Sequence, residues 1–159
     1  MNRCGVADAP FCGAQLASDW YVVVADHDFR FMHDPTTLHT LASLGSDAVS
    51  CAIEDHAMVS EATAWHAGSR VWTVSHDGSN GGREVSSEGA PPASFEPLLA
   101  QALAQYDDAE SPDVDFAFEV PIALAEALTD FRHDSSDLQF TVLDPIKAAP
   151  LKKPWWRLF

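Results

Sequence analysis

The stretch from Val49 to Ser86 constrains the fold more than any other part of the chain. Val49, Cys51 and Ile53 alternate with small or polar neighbours, the period of a half-buried strand. Residues 57–66 (AMVSEATAWH) lean towards strand, because Gly68 and a further strand follow at once. Arg70 to His76 (RVWTVSH) puts Trp72, Val74 and His76 on one face. Asp77-Gly78-Ser79-Asn80-Gly81-Gly82 is a turn, and Arg83 to Ser86 returns antiparallel. The expectation is a central meander of about four strands.

The flanks add helices and further strands. Trp20 to Ala25 (WYVVVA) is a β-branched and aromatic run that reads as a buried strand, with Phe29 and Phe31 as a hairpin partner. Asp34 caps and Pro35 opens a helix whose stripe is Leu38, Leu41 and Ala42, ending at Gly45. From Ser94 to Tyr106, Phe95, Leu98, Leu99, Ala102, Leu103 and Tyr106 recur at helical spacing. Phe116, Phe118 and Val120 alternate as a strand would, and Pro121 starts a second helix to about Phe131. Leu138, Phe140 and Val142 form a last strand before Asp144-Pro145. The class is α+β: a mainly antiparallel sheet of five or six strands with two or three amphipathic helices. Residues 1–18 read as a loose N-terminal leader, 19–146 as one domain and 147–159 as a tail.

Charge divides the chain unevenly. Residues 1–146 hold 5 Lys/Arg against all 24 Asp/Glu, a balance of −19. Phosphate contacts need clustered cations, so direct nucleic-acid binding is not expected. A basic protein partner suits such a body. With 159 residues, 47% of them hydrophobic, the chain is long enough for a core without staples. Cys4, Cys12 and Cys51 lack CxxC spacing and suit a reducing cytoplasm better than a disulfide framework. No apolar secretion segment or run of ~18 apolar residues is present.

Histidine precedes aspartate four times, at His27-Asp28, His33-Asp34, His76-Asp77 and His133-Asp134, where composition alone predicts about one such pair with any acid. Imidazole and carboxylate together could ligate a hydrolytic metal. Consecutive strand residues face opposite ways, however, and Asp34, Asp77 and Asp134 have local capping or turn roles. Asp26-His27-Asp28 differs, since two carboxylates flank one imidazole at a strand end. Asp26, His27, Asp28 and His76 are therefore the candidate catalytic set of a His/Asp metal hydrolase, weighed against a solvated turn. No metal site or cofactor is expected on the leading reading, and HExxH, GxSxG, GxGxxG and GxxxxGK spacings are absent. Arg132-His133 suits the C-terminus of the second helix.

The last thirteen residues, KAAPLKKPWWRLF, carry Lys147, Lys152, Lys153 and Arg157 and no carboxylate. Trp155 and Trp156, with Leu158-Phe159, make the same segment apolar. Lys152, Lys153, Trp155, Trp156, Arg157 and Phe159 are the candidate binding residues, since Trp and Arg dominate interfaces. Three occupants compete for the tail: the chain's own acidic body, a partner, and an anionic membrane surface. At the membrane each cation contributes ~1 kcal/mol.

The stretch from VWTVSHDG (Val71–Gly78) through EGAPPASFEPLLAQAL to DVDFAFEVPIALAEALTDFRHD (Asp113–Asp134) resembles a family of small, uncharacterised bacterial α+β proteins. The resemblance covers roughly residues 20–134 and contains no catalytic motif. It implies a bacterial cytoplasmic protein with one compact domain, and no known activity. The leading expectation is a non-enzymatic acidic binding protein that engages a basic protein as inhibitor, immunity-type protein or adaptor. The His/Asp hydrolase and the tail-anchored peripheral membrane protein stand as alternatives.

Overall fold

The computed structural model describes residues 11–25, 35–43, 47–108, 114–134 and 137–143. These form two antiparallel sheets and three helices, an α+β fold. In chain order the elements are β1 (Phe11–Gln15), β2 (Tyr21–Ala25), α1 (Pro35–Ser43), β3 (Ala48–Glu54), β4 (Val59–His66), β5 (Ser69–Asp77), β6 (Val85–Gly89), α2 (Phe95–Asp108), α3 (Glu119–Thr129) and β7 (Thr141–Val142). A 3-10 turn, Gly78–Asn80, sits between β5 and β6.

The expected meander is the larger sheet, in the order β3-β4-β5-β6. Its connections are short enough to fix the register. At Ala67-Gly68 both residues adopt positive φ (47° and 78°), which a two-residue hairpin requires for its strands to keep their twist. Ala62 then pairs with Val74, and Val74 with Ser87. Period two therefore puts Ala62, Trp72 and Val74 on the helix-facing side. Phe95 and Ala102 from α2, and Val120, Leu124 and Ala125 from α3, close that core. Leu124 is fully buried, a side chain whose removal from water contributes about 2 kcal/mol.

The smaller sheet has the order β2-β1-β7. Its centre, β1, lies inside the stretch expected to be a loose leader, which corrects that expectation for residues 11–15. The sequence FCGAQ hides a strand because Cys12, Gly13 and Ala14 are small and buried on both faces, so no alternation marks it. Gly13 is required by close approach: a Cβ there would lie 2.5 Å from the Tyr21 hydroxyl. Cys12 is disulfide-bonded while Cys51 is a free thiol, so the bond at Cys12 departs from the expected reducing setting. Ser18 Oγ donates to the Thr129 carbonyl (2.9 Å) and ties the β1–β2 turn to the end of α3.

Two other expectations change. Residues 116–118 are a turn leading into α3, not a strand, although their spacing of two imitates one. Phe118 is buried, and its N–H donates to the Asp115 carboxylate (3.3 Å), which bends the chain at the helix entrance. Leu103, counted in the apolar stripe of α2, is 37% exposed. The hairpin partner at Phe29 and Phe31, and the stop at Gly45, lie outside the described residues.

Candidate functional site

A buried polar cluster lies under the β5–β6 turn. His76 ends the apolar row Trp72–Val74–His76 and is 1% exposed. Its Nδ1 is 2.8 Å from the Glu84 carbonyl, which can only accept, so Nδ1 carries a hydrogen. Its Nε2 is 2.8 Å from Asp115 Oδ2. Asp115 Oδ1 accepts from the Tyr106 hydroxyl (2.7 Å). The same hydroxyl lies against the Gly82 carbonyl and accepts from the Ala117 N–H (2.9 Å). Burial is the main reason the Tyr106 phenol titrates above its ordinary range. The turn closes down because Gly78 has no side chain; a Cβ would sit 2.8 Å from Met58 Cβ and 3.3 Å from Asp115 Oδ2.

Ser60 is the register partner of His76, so serine, histidine and aspartate gather in one place. The composition resembles a nucleophilic triad, but the hydrogen bonds do not. Ser60 Oγ is buried and donates to the Phe118 carbonyl (2.7 Å), and neither imidazole nitrogen is left to activate it. The chemistry of this cluster is therefore structural. It joins β5, the β5–β6 turn, α2 and the turn before α3 through groups that would be costly to bury alone.

The candidate residues named from sequence divide sharply. His76 is buried in this cluster with both nitrogens engaged, so using it as a metal ligand would require breaking one of those bonds. Asp77, its neighbour, is exposed and accepts from the Ser79 N–H (2.9 Å), the turn role expected of it. The Ser79 side chain, and after it this backbone hydrogen bond, hold the Asp77 carboxyl below its usual range. Asp26, His27 and Asp28 lie outside the described residues, as do Lys152, Lys153, Trp155, Trp156, Arg157 and Phe159. No group of three or more metal-ligating side chains occurs among the described residues. Asp115 and Tyr106 carry the cluster and were not singled out for it by sequence: nothing local marks Asp115, which lies 39 positions beyond His76.

Surface charge is the other feature of the described residues. They contain 17 Asp/Glu and three arginines, Arg70, Arg83 and Arg132. Each arginine is already held by the chain's own carboxylates. Arg70 pairs with Glu88 (3.0 Å) and Arg83 with Asp107 (3.7 Å), the latter guanidinium also lying 4.6 Å from the Tyr106 ring centre. Arg132 is bound by Glu119 (2.5 Å), Asp134 (2.8 Å) and Glu126 (3.3 Å). The hydrogen bond that Arg132 donates to Glu119 is the largest of the effects that raise its pKa. Arg132 thus reaches back along α3 instead of capping it, because Asp130 reverses the chain in a left-handed conformation (φ 59°).

Beside Arg132 is a cleft of about 140 Å³ between α2 and α3. Leu98, Ala102, Phe116 and Val120 line it, with Glu119 and Arg132 among its polar residues. On the meander side, burial pushes the Cys51 thiol up to about 12, so it stays protonated and a poor nucleophile. No helix among the described residues is long and apolar enough to cross a membrane. Comparison of the chain with protein-family models, with curated proteins and with solved structures gave no match.

Proposed function

We propose that the chain is a non-enzymatic binding protein whose acidic body engages a basic protein, in an inhibitor, immunity-type or adaptor role. The observation that carries this reading is the charge of the described residues: 17 carboxylates against three arginines, all three occupied internally. An anionic surface of this kind steers a cationic partner and repels nucleic acid. The engagement of both His76 nitrogens weighs against the metal-hydrolase alternative, which drew on that residue.

Affinity capture from native lysate, with full chain and with residues 147–159 removed, tests the reading. The expected result is a stoichiometric basic protein that is released as salt shortens the screening length from about 10 Å at 0.1 M to about 3 Å at 1 M. No stoichiometric partner in either capture, or one that ignores salt, would overturn it. Liposome flotation checks the membrane alternative for the tail. A cytoplasmic setting stays part of the proposal, and the disulfide at Cys12 is the observation against it. Alkylating the thiols in intact cells before lysis, then weighing the chain, decides this: an oxidised Cys12 would remove the cytoplasmic setting.

A further inference from the structure

We propose that the chain's own C-terminal segment, Lys147 to Phe159, docks in cis on the α2–α3 cleft, with one indole of Trp155 or Trp156 as the inserted group. Size is the first argument. The cleft, at about 140 Å³, falls below the roughly 300–1,000 Å³ of small-molecule sites, and suits a single side chain. Its lining matches an indole: Leu98, Ala102, Phe116 and Val120 supply apolar surface, and Glu119 supplies an acceptor for the ring N–H.

Charge is the second argument. Three carboxylates, Glu119, Glu126 and Asp134, surround one guanidinium beside the cleft, and all three remain about half exposed. The segment brings four cations and no carboxylate to that rim. Reach is the third. Phe140 packs edge-on against Phe131 (ring centres 6.3 Å apart), so the chain passes next to Arg132 shortly before the described residues stop at Leu143. The 15 residues from Phe140 to Trp155 span up to about 50 Å, whereas α3 is only about 16 Å long. Tethering at this distance gives an effective concentration on the order of millimolar, which a free partner would have to exceed.

The test uses a synthetic peptide of sequence KAAPLKKPWWRLF and the full chain carrying Trp155→Ala with Trp156→Ala. The peptide is expected to bind this variant at least ten-fold more tightly than it binds the wild-type chain, whose cleft is filled. Adding Ala123→Phe, in the cleft lining, should abolish that binding, while Ala127→Phe on the exposed side of α3 should not. Equal binding to both chains, binding to neither, or indifference to Ala123→Phe overturns the proposal. So does a wild-type chain that dimerises in gel filtration while the double variant does not, since that tail would sit on a second copy. No foreign partner enters this experiment, so its failure leaves the acidic-surface reading standing.

Discussion

The two sheets are stabilised in different ways. The meander buries one face under α2 and α3 and adds a polar cluster in which His76, Asp115 and Tyr106 satisfy each other. The small sheet buries Cys12 with Val24, Phe140 and Val142 partly packed around it, and leaves Tyr21 and Val23 exposed. A sheet covered by helices can carry buried polar groups, because the surrounding packing over-determines their geometry. The thin sheet has only its ladder and the small apolar cluster around Cys12.

Unfolding experiments can break this contrast. Asp115→Ala leaves the buried His76 Nε2 without its partner and takes one acceptor from the Tyr106 hydroxyl, and is expected to destabilise the chain by about 3 kcal/mol in urea unfolding. Leu124→Ala, which opens a cavity in the meander core, should lose about 3 kcal/mol, against about 1 kcal/mol for Val24→Ala in the small sheet. Equal losses would dissolve the distinction between the sheets.

Tyr106→Phe should lose about 1–2 kcal/mol by leaving Asp115 Oδ1 and the Ala117 N–H without their phenol partner. Because the Tyr106 phenol is raised in the fold, its contribution is complete below the ordinary value near 10 and disappears as pH rises through the folded value. The wild-type chain should therefore lose stability in alkali more steeply than Tyr106→Phe does. The smallest effect concerns the thiols. At pH 8 Cys51 should resist alkylation in the folded chain and react in denaturant, while a reductant speeds amide exchange in β1 and β2 and leaves β4 and β5 unchanged.

The meander was legible because its runs alternate and its turns fall at Gly68 and Asp77-Gly78, where local chemistry specifies the geometry. The α2 helix was legible from its period. Elsewhere, tertiary context decided. Phe116 and Phe118 have strand spacing, yet Asp115 accepts the Phe118 N–H and turns the chain into α3. In β1, burial on both faces erased the period. His76 was legible as an inward residue, but its partners come from sequence positions that carry no mark of their pairing. The His-Asp repeats therefore gave the right turn chemistry at Asp77 and no guide to where the imidazole goes. For the candidate site, sequence supplied one member of the cluster and the acidity of the surface; the pairing of each described arginine needed coordinates.

The cluster under the β5–β6 turn also has a kinetic meaning. Its members are supplied by residues 76, 82, 84, 106 and 115–118, four segments that meet only after the hairpin has closed and both helices have docked. Bonds that depend on the finished assembly are missing from the barrier-crossing state, so their loss is felt on the way out and not on the way in. Asp115→Ala should therefore shorten the lifetime of the native chain while leaving its refolding rate nearly untouched: the cluster acts as a latch on a structure that has already formed.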